Sequence, residues 1–256
     1  ANAYGHGIVP VAKAARQAGA TGFCVALIDE GLVLREAGIA ETILILGVTP
    51  AREATLMAKY DLSTAVGDLE FLIQAQKKLA QAGAKLKVHL ALDTGMGRIG
   101  FRDQAKLSQA IDFLHEHTAQ FEFEGIFTHF ARADERDKAS VKSQISRFEQ
   151  FVRACEGKGI RFPIRHCSNS AGIMDLKEAQ WEMVRAGIIL YGLYPSDEVH
   201  KEQMPLRPAM ELKSRIVQVK EIAPGTEVSY GGIYRADTVR RIATIPVGYG
   251  DGYPRS

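Results

Sequence analysis

The chain has 256 residues, of which 46% are hydrophobic and 24% are charged, with 32 Lys and Arg against 30 Asp and Glu. This is the composition of a globular protein of one or two domains, and the small net charge argues against nucleic acid or a membrane surface as the main partner. No apolar run approaches the ~18 residues that would cross a bilayer, and the first 18 residues have no secretory h-region. The odd number of cysteines, three, favours a reduced, cytoplasmic location.

Short β-rich runs alternate with longer helical patterns along the first 205 residues, which is typical of βα units around a parallel sheet. Two helices have clear apolar stripes, one at residues 107, 110, 111 and 114 and the other at 141, 145, 148 and 152. Seven strands are predicted: Thr21–Leu27, Glu41–Gly47, Leu62–Val66, Leu86–Asp93, Phe123–His129, Pro163–Ser168 and Met183–Leu190.

The first segment, Ala1–Gly7, reads as a loop followed by a helix through Ala18. A loop that opens a βα unit implies a strand before residue 1, so we expect the sequence to be a fragment. Seven strands and one preceding strand give eight, and residues 1–205 are therefore predicted to form a (β/α)8 barrel that lacks its first strand. An open doubly wound sheet is the alternative. Residues 206–256, with β-like runs at Ser214–Val219 and Arg241–Val247, are predicted to begin a second, β-rich domain that is truncated.

The segment from Gly95 to Gly100 has the form G-x-G-x-x-G after a strand. A dinucleotide site would need a helix to begin at these glycines, whereas Asp103, beyond them, has the position of the helix N-cap. The segment is better interpreted as a loop at the carboxyl end of a barrel strand, where catalytic residues collect. Alternation along that strand places Ala91 and Asp93 inside the barrel, and Arg98 on the loop above.

Polar groups follow the next three strands as well. His129 ends one strand, Ser168–Gly172 leads from the next into a helical turn, and Arg185 is followed by Gly187 and Ile188 in the last. Each has an ordinary structural explanation, such as a helix N-cap, but a barrel brings all these ends to one face. Phosphate is commonly held after strands seven and eight, so the sequence predicts a phosphate-bearing cofactor or substrate there.

Seven motifs occur in order from the first residue to the last: ANAYGHG (1–7), DTGMGRIG (93–100), THF (128–130), SNSA (168–171), RAGI (185–188), VSYG (228–231) and GYGDGYP (248–254). As a set they resemble the signature motifs of bacterial alanine racemases. The resemblance implies a pyridoxal 5′-phosphate enzyme with a barrel domain, a C-terminal β-domain and a head-to-tail homodimer that shares its active sites. It implies the interconversion of L- and D-alanine, which supplies D-alanine for peptidoglycan, and no metal.

Residue roles follow from the same resemblance. The cofactor lysine would immediately precede Ala1. Tyr4, Asn169, Ser170, Gly187 and Ile188 would hold the phosphate, and Arg185 would face the pyridine nitrogen. Tyr230 would be the second catalytic base, donated across the dimer with His129 behind it and activated by positive charge from Arg98 or a protonated His129. Arg98 would place the substrate carboxylate, and Tyr249 would line the entrance.

The sequence departs from the family at one position. Many members carry a carbamylated lysine seven residues before the arginine that corresponds to Arg98, where this chain has Ala91. Water, an anion or another side chain must then orient Arg98. Two other functions stay open: a broad-specificity amino-acid racemase and a non-catalytic barrel that binds pyridoxal phosphate. We expect the 256 residues alone to be inactive.

Overall fold

The computed structural model describes residues 2–254, so Ala1, where the first motif begins, lies outside the described residues. The chain divides into two compact units, Ala1–Ala209 and Met210–Ser256. The boundary expected after residue 205 stays a prediction. Among the described residues, none of the helices has the length and apolar character needed to cross a membrane.

The first unit is built on a parallel sheet whose six strands lie side by side in chain order. A doubly wound sheet reverses its strand order at a switch point, and this sheet does not. The sequential order is that of a barrel, so the predicted fold class is confirmed. The strands are β1 (Gly22–Val25), β2 (Thr42–Ile45), β3 (Leu62–Val66), β4 (Leu86–Leu92), β5 (Phe121–Thr128) and β6 (Ile164–His166).

Helices connect the strands and cover one face of the sheet. The two predicted apolar stripes are buried, one on each of the helices that flank β5. Local signals set the helix ends: Asp68 and Asp103 accept hydrogen bonds from the third residue of their helices, and Gly83 ends a helix at φ 59°. The helices are α1 (Ile8–Gln17), α2 (Ile28–Glu36), α3 (Ala54–Lys59), α4 (Leu69–Ala82), α5 (Gln104–Glu116), α6 (Ala139–Glu156) and α7 (Ser170–Asp175).

The prediction of a seventh strand at Met183–Leu190 is wrong, because the structure has no strand in this segment. The segment begins beside β6, with backbone hydrogen bonds from Met183 to Arg165 (3.4 Å) and from Arg185 to Ser168 (2.9 Å). Gly187 then leaves the extended conformation, with φ −118° and ψ −105°, and a 3₁₀ helix covers Ile188–Tyr191. The apolar run is buried in a turn, which hydrophobicity alone does not distinguish from a strand.

The two faces of the sheet differ as the alternation along β4 predicts. Leu86, Val88, Leu90 and Leu92 belong to the large core beneath the helices. On the concave face Ala91 packs with Ala65 and Phe127 in a separate small cluster. Ala91 is therefore buried inside the sheet's curvature, as expected.

The second unit consists of short antiparallel pairs. The predicted run at Arg241–Val247 is observed, with shifted ends, as β10 (Arg240–Thr244), which pairs with β7 (Gln218–Ile222). The predicted run at Ser214–Val219 overlaps β7 only at Gln218 and Val219, and its first four residues are not in a strand. Between them β8 (Glu227–Val228) pairs with β9 (Tyr234–Arg235).

Candidate active site

The loop before α1 contains a left-handed turn. Asn2, Ala3 and Tyr4 have φ of 52°, 52° and 55°. For residues other than glycine this conformation costs roughly 1–2 kcal/mol each. Unfavourable backbone of this kind persists where surrounding contacts fix it, and it is concentrated at functional sites.

Glu30 supplies one of these contacts. Its carboxylate accepts hydrogen bonds from the backbone N–H groups of Asn2 (2.6 Å), Ala26 (2.9 Å) and Leu27 (3.3 Å). Burial alone would raise the pKa of Glu30, but these three hydrogen bonds lower it below its ordinary value. Glu30 therefore joins the left-handed turn to the end of β1, and Asn2 adds a hydrogen bond from the Ile8 amide to its side chain (2.9 Å).

Three of the predicted phosphate-binding residues lie together. The Ser170 hydroxyl accepts from the backbone N–H of Gly187 (3.0 Å) and lies 3.5 Å from that of Ile189. A Cβ placed on Gly187 would lie 2.8 Å from the Tyr4 hydroxyl and 3.5 Å from the Ser170 hydroxyl. The Tyr4 and Ser170 hydroxyls thus lie against the backbone of Gly187, where any side chain would collide with the Tyr4 hydroxyl.

The side chain of Asn169, which is also predicted to bind the cofactor, makes hydrogen bonds within the chain. It caps α7 by accepting from the Gly172 amide (3.1 Å), and its amide group points to the carbonyl of Phe130 at 3.4 Å. The side chain therefore shapes the turn that carries Ser170.

Arg185 is buried at the end of β5 and β6. One guanidinium nitrogen, Nη2, donates to the carbonyls of Thr128 (2.9 Å) and Cys167 (3.0 Å), and Nη1 donates to Nδ1 of His166. The third nitrogen, Nε, is buried and has no hydrogen-bond partner among the described residues. An unpaired buried donor is costly, so this atom marks a position where an acceptor is required.

His129 lies beside Arg185, with Nδ1 at 3.4 Å from Nη2. Burial, together with the positive charges of Arg185 and Arg98, lowers the pKa of His129 to about 4. His129 is therefore neutral at physiological pH, which favours Arg98 over a protonated His129 as the charge that would activate a tyrosine. Of the two cations expected to activate Tyr230, Arg98 and a protonated His129, only Arg98 is charged at neutral pH, and it is exposed on its loop.

The glycine-rich loop is organised by a carboxylate. Asp93 accepts from the backbone N–H groups of Gly95 (3.1 Å) and Gly97 (2.8 Å), and α5 begins only after Asp103. These amides thus serve the loop's own structure and do not face a dinucleotide.

Four further polar residues line the concave side below Arg185 and were not among the predicted site residues: Ser63, His89, Glu124 and His166. The inward alternation of β4 already indicates His89, but no local pattern indicates that β5 and β6 bring partners to it. Tyr230 and Tyr249 belong to the second unit, where each begins a 3₁₀ helix and is exposed.

Comparison with known proteins places this geometry in a family. Residues 1–195 match the family model described as "Alanine racemase, N-terminal domain", and residues 209–256 match "Alanine racemase, C-terminal domain". The chain belongs to the alanine racemase family. Alanine racemases are isomerases that depend on pyridoxal phosphate.

Individual alanine racemases are similar over the whole chain. The alanine racemase of Ligilactobacillus salivarius is 50% identical over 255 residues, which is 100% of this chain and 68% of that protein. The solved alanine racemase of Clostridium difficile 630 is 40% identical, with a TM-score of 0.89 over 99% of this chain and 66% of that one. A histidine racemase from Leuconostoc mesenteroides is 34% identical, with a TM-score of 0.85 over 99% and 68%. The chain thus spans about two thirds of the length of these relatives.

The residues present fit the alanine racemase cofactor. The unpartnered Nε of Arg185 can donate to a ring nitrogen, and the Tyr4 and Ser170 hydroxyls beside Gly187 can donate to a phosphate. Arginine keeps its proton at any physiological pH, so it can only donate to that nitrogen.

Proposed function

We propose that the protein that contains this chain interconverts L- and D-alanine with pyridoxal phosphate by a two-base mechanism. The observation that carries the proposal is the buried Nε of Arg185, which lacks an acceptor in the described part of the chain. When bound, pyridoxal phosphate withdraws electrons from the α-carbon and so makes its proton easier to remove.

In this proposal Tyr4, Ser170 and the backbone of Gly187 and Ile188 hold the phosphate, while Asn169 orients the turn that carries Ser170. Arg185 would donate to the pyridine nitrogen and keep it unprotonated. An unprotonated ring would withdraw fewer electrons from the α-carbon, which would favour return of the proton over side reactions. Arg98 binds the substrate carboxylate, and Ala91 leaves it without the carbamate that orients its counterpart in many relatives.

Tyr230 is proposed as one base, and the lysine that would precede Ala1 as the other. The ordinary pKa of a tyrosine is about 10, so at neutral pH it is protonated and cannot act as a base. A nearby cation lowers this pKa because it stabilises the tyrosinate. Because His129 is neutral, Arg98 is the proposed source of that charge. Tyr249 would line the entrance, and Tyr230 would act in the site of the partner subunit in a homodimer.

The test follows α-proton exchange in D₂O for each enantiomer, using protein expressed from its complete gene. Two opposed bases handle opposite faces of the α-carbon, so Tyr230→Phe should lower racemisation by about 10²–10⁴-fold but preserve exchange of one enantiomer. Tyr60→Phe, on the helix side of the sheet, is the matched control and should behave as wild type. Equal loss of exchange for both enantiomers would contradict the two-base assignment.

A racemase for another amino acid is the second candidate, and the similarity to a histidine racemase favours including it. Rates with L-alanine, L-serine, L-lysine and L-histidine decide between the two. Alanine should have the highest kcat/KM. The third possibility, a barrel that only binds the cofactor, is disfavoured by the C-terminal domain match over residues 209–256. We propose a cytoplasmic location, supported by three unpaired cysteines, and a role in supplying D-alanine for peptidoglycan.

A further inference from the structure

A continuous line of hydrogen bonds crosses the concave face of the sheet and ends at Arg185. The Ser63 hydroxyl, on β3, donates to Oε2 of Glu124, on β5. The same oxygen lies 2.9 Å from Nε2 of His89, on β4, and Nδ1 of His89 lies 2.8 Å from Nε2 of His166, on β6. Nδ1 of His166 contacts Nη1 of Arg185. We call these five residues the Glu124 network.

An irregularity in the pairing of β4 with β5 brings Glu124 within reach of His89. The register of β4 against β5 shifts between Val88, opposite Phe123, and His89, opposite Gly125, so Glu124 is the extra residue of a β-bulge. Bulges re-aim side chains, and here the bulge coincides with the residue whose carboxylate reaches His89. A Cβ on Gly125 would collide with Nδ1 of His89. The imidazole of His89 can therefore occupy its position only because residue 125 has no side chain.

The two ends of the network fix the direction of its hydrogen bonds together: Arg185 has donors only, and the Glu124 carboxylate has acceptors only. Nδ1 of His166 must accept from Arg185, so its proton is on Nε2 and is donated to Nδ1 of His89. His89 then carries its proton on Nε2 and donates it to Glu124. Both histidines are therefore held as neutral Nε2–H tautomers, and each ring nitrogen has one defined role.

The charges agree with this direction. Burial, reinforced by the positive charge of Arg185, puts the pKa of His166 well below its ordinary value. Burial would raise the pKa of Glu124, but the hydrogen bonds from His89 and Ser63 and the charge of Lys87 bring it below its ordinary value. Glu124 is thus a carboxylate joined to a buried guanidinium through two neutral imidazoles.

We propose that Glu124 is a positioning residue for Arg185 and acts through His89 and His166. By fixing both tautomers, it keeps His166 an acceptor for Nη1. With Nη2 on two carbonyls, the guanidinium plane is then held so that Nε is the donor left for the cofactor. Only this last step rests on the proposed function; the tautomers and the orientation of Arg185 do not.

The first experiment is ¹⁵N NMR of the histidine side chains in protein expressed from its complete gene, between pH 6 and 9. Protonated and unprotonated ring nitrogens give well-separated ¹⁵N resonances. We expect His89 and His166 to show an unprotonated Nδ1 and a protonated Nε2 throughout. A proton on Nδ1 of either histidine would overturn the proposal, whether or not the protein racemises alanine.

Variants of Glu124 supply the second experiment. Glu124→Ala removes the acceptor, so a second tautomer of His89 and His166 should appear, and kcat should fall about tenfold with KM little changed, as loss of one hydrogen bond to a charged group implies. Glu124→Gln keeps an acceptor oxygen and should restore the wild-type tautomers and most of kcat. Glu122→Ala, at an exposed position of the same strand, is the control. Unchanged tautomers in Glu124→Ala would overturn the proposal.

Discussion

At the residue scale, the close approach of the Tyr4 hydroxyl to Gly187 depends on the absence of a side chain at that position. The nearest atom to a Cβ at this position is the Tyr4 hydroxyl at 2.8 Å, a distance that real Cβ atoms do not tolerate. The substitution therefore has to displace either the tyrosine hydroxyl or the backbone that donates to Ser170.

We predict that Gly187→Ala weakens pyridoxal phosphate binding by about tenfold, the effect of losing one charge-assisted hydrogen bond. Fluorescence titration of the apoprotein with the cofactor measures this. Gly157→Ala is a suitable control, because Gly157 has φ −60° at the end of α6 and a Cβ there makes ordinary contacts. An unchanged dissociation constant for Gly187→Ala would show that the phosphate binds elsewhere.

At the scale of elements, the loop before α1 depends on a helix that follows it in the chain. Glu30 lies in the first turn of α2 and accepts from amides of two separate segments, the left-handed turn and the end of β1. It therefore holds Asn2, the second residue after the proposed position of the cofactor lysine.

Glu30→Ala should destabilise the protein by about 1–3 kcal/mol, because it removes the hydrogen bonds that exposed backbone donors make to a charged group. Amide hydrogen exchange at Asn2, Ala26 and Leu27 should become faster, while exchange in the distant strand β5 should stay as in wild type. Asp29→Ala, at the neighbouring exposed position, controls for loss of negative charge near the helix N-terminus. If these amides stay protected in Glu30→Ala, other contacts hold the turn.

At the scale of the whole molecule, His129 makes the free energy of unfolding depend on pH. Its pKa is about 4 in the folded protein and ~6.5 in an unfolded chain, so the unfolded state binds more protons between these values. Stability therefore falls as the pH falls from 6.5 to 4. His166 acts in the same direction.

From these pKa values, His129 should cost about 2 kcal/mol of stability between pH 7 and pH 5. Urea unfolding of wild type and of His129→Gln at both pH values measures the difference. The variant should lose less stability than wild type over this interval. An equal loss in both proteins would place the pKa of His129 near its ordinary value.

The sequence predicted what depends on local pattern and on matching motifs. The helix stripes, the inward position of Ala91 and the N-cap at Asp103 are all visible in residue spacing. The turn at Gly187 could not be predicted, because its apolar neighbours suit a buried strand equally well. The Glu124 network could not be predicted either, because it depends on a β-bulge and on the register of four strands, and no local sequence pattern encodes these.

The handedness of the turn at Asn2–Tyr4 has a chemical consequence. A D-amino acid has the mirror-image backbone preference, so the φ of 52° that is unfavourable for L-alanine at position 3 lies in the favoured helical region of D-alanine. Protein semisynthesis with D-alanine at this position would therefore relieve the strain. D-Alanine, one of the two enantiomers that alanine racemases interconvert, would therefore fit the backbone conformation at position 3 better than L-alanine does.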